Sequence, residues 1–300
     1  MGTDTSEPLE EVDPESVTVD AVDADDVRAA LDSTNPTVQR RGLRVCETLA
    51  GEDVSAVEPF LDDVSALVNR DTAATSLRAI AVLNTVAGVE PEALDGRLEA
   101  LAEAAGSELT DVQLTGAQVL GKVVVDHPDI VAPYVKALLE GIQSTKLDPD
   151  PPEVPDAVEH RQTAETLYEH ENDERQRRMS GRQTLINVVV AVAEQKPAAV
   201  SDAVDDLVAL FDDSDPAIAG GALDALGELA KTDPEAVAPV RDDIVECLDH
   251  DRPLVRARAI RALGRLGDDA AVPELRSMAE SDDDKNVRDI AAETADFLEV

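Results

Sequence analysis

The stretch RPLVRARAIRALGRLG, from Arg252 to Gly267, decides the fold of this 300-residue chain. Its apolar residues fall mainly three and four apart and so share one face of an α-helix: Val255, Ala259, Ile260, Ala262, Leu263 and Leu266. Pro253 stands where a missing N–H costs little, Asp251 offers an acceptor near the helix start, and Gly267 ends the run. The stretch therefore predicts one amphipathic helix with a defined beginning and end.

The same pattern recurs along the chain at a regular spacing. Aligning it on Pro253 gives six equivalent positions, here called the repeat anchors, at Pro36, Ala73, Thr110, Met179, Pro216 and Pro253. The steps are 37 residues, except that 32 extra residues separate Thr110 from Met179, and a shorter last step of 32 residues leads to Lys285. Four prolines lie 18 residues after their own anchors, at Pro91, Pro128, Pro197 and Pro234. This second register supports the first and indicates an internal repeat.

Each repeat contains a second helical pattern, as in PEAVAPVRDDIVECL from Pro234 to Leu248. A further proline follows five residues into this pattern at Pro59, Pro133 and Pro239. Because proline is tolerated in a first helical turn, these prolines predict helix starts. The predicted unit is helix A, a short turn and helix B. Residues 17–31 then fit helix B of an incomplete first unit, and residues 284–298 fit a last helix A.

The segments RPLVRARAIRALGRLGDDAAVPELRSMA and DKNVRDIAAETADFL resemble HEAT repeats, specifically the short type named after phycobiliprotein lyases. The resemblance covers roughly residues 17–300 apart from the 32 extra residues. It implies an all-α, armadillo-like fold, a right-handed α-α superhelix of about six two-helix repeats plus terminal half-repeats. It also implies that helix B lines the concave side, where partners usually bind.

The domain organisation follows from where the repeat is present. Residues 1–16 lack apolar periodicity and all their charged side chains are acidic, which predicts a disordered tail, followed by one repeat array over residues 17–300. The insertion at about Leu147–Arg178 begins with a proline-rich stretch, which predicts an extended linker. From Asp156 a polar helical pattern follows, which we expect to run into Arg175 and to continue as a lengthened helix A through Val192.

The charge of the chain is extreme, with 65 acidic against 26 basic residues and a net of −39. High acidity with few lysines resembles proteins of salt-accumulating, halophilic archaea, although a dedicated basic partner is an alternative explanation. The two cysteines, Cys46 and Cys247, occupy apolar register positions in different units, so we expect both to be buried without a disulfide or a zinc site. No apolar run approaches 18 residues, which predicts a cytoplasmic protein without a membrane span.

Two candidate protein-binding surfaces emerge from the register. The first is a ladder of paired aspartates at the same helix B positions, which solvent exposure alone would also explain: Asp25 and Asp26, Asp62 and Asp63, Asp205 and Asp206, Asp242 and Asp243. It is interrupted near Tyr134 and Lys136. The second is the insertion, with an apolar anchor and a basic rim: Leu167, Tyr168, Arg175, Arg177 and Arg178.

The function that these features predict is a non-enzymatic scaffold or adaptor that binds a protein partner. The sequence contains no Gly-rich phosphate loop, nucleophile elbow or HExxH motif, and we predict no cofactor, metal or specific small molecule. A lyase-like or enzyme-accessory role, similar to that of the bilin lyases with related repeats, is the alternative. Nucleic-acid binding ranks third, because the chain lacks a basic face and stacking aromatics, and we expect the arginines to pair with aspartates of adjoining units instead.

Overall fold

The structure is a computed structural model that describes residues 7–70, 72–148 and 161–299, without the side chains of residues 161–165. All regular structure in these residues is helical. The α-helices are, in chain order, α1 (Ala24–Leu31), α2 (Pro36–Glu52), α3 (Val54–Val57), α4 (Leu61–Ser65), α5 (Ala73–Val89), α6 (Glu99–Glu103), α7 (Thr110–Asp126), α8 (Pro128–Val131), α9 (Val135–Ser144), α10 (Arg161–Gln195), α11 (Val204–Val208), α12 (Pro216–Ala230), α13 (Pro234–Val237), α14 (Arg241–Glu246), α15 (Pro253–Leu266), α16 (Val272–Ser281) and α17 (Lys285–Leu298). Short 3₁₀ segments lie between them at Val19–Ala21, Glu58–Phe60, Pro91–Leu94, Ala104–Gly106, Ala132–Tyr134, Pro197–Ala203, Ala238–Val240, Cys247–Asp249 and Asp269–Ala271.

The predicted register of helix A is confirmed. Five of the six anchors, and Lys285, are the first residues of the long helices α2, α5, α7, α12, α15 and α17. The sixth anchor, Met179, lies inside α10, the 35-residue helix that continues the insertion into helix A as expected. The register therefore predicts the first residue of every helix A except that of α10.

The helix ends differ in one respect from the prediction. Asn35 and Asp215, immediately before their helices, each accept a hydrogen bond from a first-turn amide, and the left-handed Gly267 (φ 73°) ends α15 as expected. Asp251, in contrast, does not cap α15, because Arg252 occupies the cap position and its amide donates to His250 Nδ1 instead. The expected acceptor was therefore one residue too far from the helix.

Helix B is segmented rather than continuous. The pattern that starts at Pro234 forms α13, a 3₁₀ turn over Ala238–Val240 and then α14. Pro239 lies at the break, because proline inside a helix lacks the N–H for the i→i−4 bond and clashes with a preceding carbonyl. The prediction that these second prolines lie in a first helical turn was therefore wrong. Residues 17–31 are likewise only partly helical, in Val19–Ala21 and α1.

The chain forms two compact units, Met1–Tyr134 and Val135–Val300. In the first, α2 packs on α1 and α5, and α5 packs on α7; in the second, α12 packs on α10 and α15, and α17 packs on α15 and α16. Cys46 and Cys247 are buried free thiols, as expected, and burial raises the pKa of each to about 12. In the part of the chain that the structure describes, no helix combines the length and the apolar character needed to cross a membrane.

The segment of residues 7–16 packs against α2 in a series of turns. Leu9 is buried, Arg41 Nη1 donates to the Pro8 carbonyl at 3.4 Å, and Thr48 Oγ1 donates to the Pro14 carbonyl at 2.7 Å. This differs from the disordered tail that composition predicts, because one apolar side chain and two backbone carbonyls find partners that are distant in sequence. Residues 1–6, the rest of that predicted tail, lie outside the described residues.

Candidate protein-binding surfaces

The insertion enters helix A as a polar extension of α10. The eighteen residues from Arg161 to Arg178 precede the anchor Met179 and add about 27 Å of helix at 1.5 Å per residue. From Thr166 to Ser180 no residue is buried, whereas burial begins at Gly181. We call residues 161–178 the α10 extension. Over residues 166–178 it is a helix without a buried apolar face of its own.

The spacing of charges in the sequence and continuity with helix A favour a helix in this segment. Acidic residues precede arginines by four positions three times, at Glu171 and Arg175, Asp173 and Arg177, and Glu174 and Arg178. Such i,i+4 pairs, acid first, stabilise a helix by about 0.2–0.5 kcal/mol each. Because α10 already continues as a packed helix, the extension also avoids the unfavourable nucleation step.

Leu167 and Tyr168 are the large apolar side chains that the extension exposes, each with 42% of its surface accessible. They are adjacent and therefore point about 100° apart around the helix, which makes a small apolar patch rather than a stripe. Large side chains of this kind in a charged surrounding mark binding sites when they are grouped. Most of the predicted proline-rich linker and the first part of the helical pattern predicted from Asp156, together residues 149–160, lie outside the described residues.

The predicted basic rim is partly used for internal contacts. Arg175 Nη2 donates to the Asp148 carbonyl at 2.5 Å, and Arg177 Nε donates to the Asp173 carbonyl at 3.4 Å. Arg178 is half-buried and also interacts within the chain. Arg175 therefore ties the base of the extension to Asp148, Arg177 bonds within the extension itself, and Leu167 and Tyr168 lie farther toward its N-terminus.

The aspartate ladder has a local structural explanation. All four pairs lie in the first turn of a helix, in α1, α4, α11 and α14. The unpaired amides and the partial positive charge of a helix N-terminus favour carboxylates there, by about 0.3–1 kcal/mol each. Six of the eight side chains are exposed, and Asp63 and Asp206 are half-buried. In these four repeats an α-helix of helix B begins at the same register position, and its N-terminus favours aspartates there.

Neighbouring charges differ among the ladder residues. Asp62 pairs with Arg97 at 2.7 Å and Asp242 pairs with Arg241 at 2.8 Å. Burial, with the charge of Asp32, raises the pKa of Asp63 above its usual value. The ladder is therefore not one uniform acidic stripe.

Tyr134 and Lys136, where the ladder is interrupted, fall in different compact units. Tyr134 is half-buried at the end of its 3₁₀ segment, and burial together with the charges of Glu99 and Asp95 raises its pKa. Lys136 is exposed in the first turn of α9. Each residue is accessible within its own unit.

Several arginines pair with aspartates at unit junctions, as the sequence predicts. Arg256 Nη2 lies 2.7 Å from Asp282, whose pKa is lowered by this hydrogen-bonded partner. Arg182 Nη2 lies 2.6 Å from Asp213, and both side chains are almost completely buried. In both pairs the arginine lies three residues after its anchor, Met179 or Pro253. The aspartate lies three residues before the start of the following helix A, at Pro216 or Lys285.

The residues three positions after the start of the helix A register share a contact that the sequence did not predict. In six units the side chain at this position donates to a backbone carbonyl at the end of the preceding helix B: Gln39 to Leu31, Ser76 to Arg70, Gln113 to Ala105, Arg182 to Ile142, Arg256 to His250 and Arg288 to Asp282. The signal in the sequence was a donor side chain at one register position, but the donors differ in type. These contacts fix each helix A on the unit before it.

Acidic and histidine side chains do not converge on a cation site in the described residues, where no group of three or more such side chains or cysteines is arranged to hold a metal ion. His250, for example, uses Nδ1 to accept from Arg252.

Comparisons with known proteins agree with this architecture. The family model described as HEAT repeats matches residues 204–296. The archaeal HEAT-like repeats protein from Thermococcus onnurineus NA1 is 16% identical, with 93% of this chain and 97% of that chain covered and a TM-score of 0.52. A designed armadillo repeat protein is 14% identical over 80% of this chain and 98% of its own, with a TM-score of 0.45. No curated protein matches the chain. The chain has an all-helical repeat fold similar to that of this archaeal HEAT-like repeats protein, and its residues 204–296 match HEAT repeats.

Proposed function

We propose that this protein is a non-enzymatic scaffold that binds a protein partner through the α10 extension. The observation that carries the proposal is that a helical segment of eighteen residues adds nothing to the buried core over Thr166–Ser180 and yet presents Leu167 and Tyr168 at 42% exposure. The repeat does not require this segment, since the other helices A begin at their anchors.

The energetics favour a groove-binding mode for the extension. Its helix exists before binding, so a partner does not have to order it, and the cost of association falls accordingly. An amphipathic helix docks by placing a few apolar anchors in a hydrophobic groove. Leu167 and Tyr168 supply such anchors, and aromatic residues are enriched among the residues that dominate binding energy.

The charge of the extension supports a protein partner. It carries five acidic and four basic side chains, a net of −1, whereas the whole chain carries −39. A second acidic protein is therefore repelled less here than elsewhere on the chain. We propose a partner with an apolar groove, and we propose the repeat array of residues 17–300 as the scaffold that carries the extension.

The test compares one double variant and one single variant in a native cell extract at high salt. Leu167→Ala with Tyr168→Ala removes the anchors, and Leu254→Ala removes a matched leucine that is 44% exposed elsewhere. We expect a stoichiometric partner that copurifies with the Leu254→Ala variant and is lost, by about tenfold or more, from the double variant.

A site-specific crosslink locates the contact. A photoreactive amino acid at Tyr168 should give one crosslinked product, while the same group at Phe297, which is 69% exposed, should not. If the double variant keeps every partner, the extension is not the binding surface and the proposal moves to the surfaces around Tyr134 or Lys136. Copurified pigment would instead support the role of the lyase relatives.

We also propose that the acidic composition is an adaptation to concentrated salt, in the cytoplasm of a halophilic archaeon. The support for this proposal is the net charge of −39, from 65 acidic against 26 basic residues. The pairing of arginines such as Arg182 and Arg256 with aspartates supports the view that the cations are structural rather than nucleic-acid ligands.

A further inference from the structure

Four arginines converge on one cavity of the first compact unit, in a chain that is otherwise strongly acidic. The cavity has a volume of ≈ 460 Å³ and is lined by Pro14, Thr37, Arg40, Arg41, Arg44, Ala74 and Arg78. It lies between α2 and α5, and the packed segment of residues 7–16 contributes Pro14 to it. Its size falls in the range of small-molecule sites, about 300–1,000 Å³.

The repeat register shows that this cluster replaces an ion pair. In the second unit, Arg258, five residues after its anchor, lies 3.2 Å from Asp224, eight residues after the preceding anchor. The equivalent positions in α5 and α2 hold Arg78 and Arg44. The first compact unit therefore has two arginines at positions that hold an arginine and an aspartate in the second compact unit. Two like charges are unfavourable there without a third, negative group.

Internal carboxylates neutralise only part of the cluster. Arg78 pairs with Glu47 at 2.6 Å, and Arg41 lies 3.9 Å from Glu7. Arg40 donates to the Pro36 carbonyl and to Thr37 Oγ1. Within the described residues, neither Arg40 nor Arg44 has a carboxylate at ion-pair distance, and the exposed Arg44 makes no internal hydrogen bond. Two cations with unused N–H donors thus face one cavity.

We infer that this cavity, here called the arginine pocket, binds the phosphate groups of a small phosphorylated ligand. A phosphate carries about −1.5 to −2 and three acceptor oxygens, which suits several guanidinium groups at once. The forked N–H donors of arginine match such oxygens in pairs. The residues that line the pocket include no aromatic side chain, so recognition is of the charged group rather than of a base.

The probe is pyrophosphate, titrated calorimetrically into the full chain at the lowest KCl concentration that keeps the native circular dichroism spectrum. We expect one pyrophosphate per chain. Arg44→Ala and Arg40→Ala should each weaken binding by about tenfold or more, since each removes charge-assisted hydrogen bonds to the phosphate oxygens. Arg44→Lys, which keeps the charge and loses the fork, should bind with intermediate affinity.

The matched control is Arg261→Ala, which removes one exposed arginine from α15 in the other unit and should leave affinity unchanged. Circular dichroism confirms that each variant is folded. Absence of pyrophosphate binding to the wild type, or an equal loss in Arg261→Ala, overturns the site. A hexaglutamate peptide that binds more tightly than pyrophosphate overturns the phosphate class and indicates an acidic protein segment instead.

Discussion

Removing the Arg182 side chain should destabilise the second compact unit more than any surface change. Arg182 is completely buried, and its guanidinium bonds Asp213 at 3.3 and 2.6 Å and the Ile142 carbonyl at 3.3 and 3.1 Å. Ile142 precedes the insertion and Arg182 follows it, so this side chain joins the two ends across the extra residues. Arg182→Ala leaves a carboxylate buried without its counter-charge and a carbonyl without these donors.

The expected loss is about 3–5 kcal/mol, the range for breaking one partner of a buried ion pair. The exposed Arg261→Ala should change stability by no more than about 0.5 kcal/mol. A double variant, Arg182→Met with Asp213→Asn, removes both charges. The asparagine oxygen can still accept the hydrogen bond that the Asp215 amide donates to Asp213 Oδ1. It should recover most of the loss, because replacing both partners avoids the unpaired charge.

Equilibrium unfolding in urea, followed by circular dichroism at constant KCl, measures these differences, because urea adds no ionic strength. A loss below about 1 kcal/mol for Arg182→Ala would refute the reasoning, since the ion pair would then contribute no more than a surface pair. A double variant as unstable as the single one would show that packing, rather than the buried charge, determines the cost.

Three further predictions follow from the charges and the repeat. Dialysis into dilute buffer should abolish helical circular dichroism, because the self-repulsion of a −39 chain is screened only when the Debye length approaches about 3 Å, at 1 M salt; full cooperative folding at low salt would contradict this. Deleting residues 147–178 should leave the urea midpoint equal or higher, because Arg182 would then follow Ile142 by eight residues, as Gln113 follows Ala105; a lower midpoint would show that the insertion stabilises the array. The lowered pKa of Asp282 means that its stabilisation is present above the ordinary value of 3.8 and is lost as pH falls through the folded value, so Asp282→Asn should be destabilised at pH 7 and approach the wild type in acid. A stability difference that is independent of pH would exclude this linkage.

The opposite sign is expected at Asp63. Burial raises its pKa, so the ionised carboxylate is unfavourable in the folded state above the folded pKa, and this penalty disappears below the ordinary value of 3.8. Asp63→Asn should therefore raise the thermal midpoint at pH 7 and have a smaller effect in acid. A midpoint lowered at pH 7 would show that the N-terminal charge of Asp63 in α4 outweighs its desolvation.

The repeat, the starts of helix A and the lengthened α10 could be predicted from the amino-acid sequence, because they depend on local periodicity. Apolar residues three and four apart place Val255, Ala259 and Leu263 on one face whatever the rest of the chain does. The same logic predicted the buried cysteines and the exposed pair Leu167 and Tyr168.

Contacts between distant residues were decided only by the tertiary structure. The breaks in helix B, the cover that residues 7–16 make on α2, and the convergence of Arg44 with Arg78 all depend on how helices pack. Sequence spacing gives the position of a side chain on its helix, but the direction and reach of a long arginine depend on neighbours 26 to 40 residues away. In the sequence Arg182 follows closely after Arg175, Arg177 and Arg178, and only packing makes it a buried partner of Asp213.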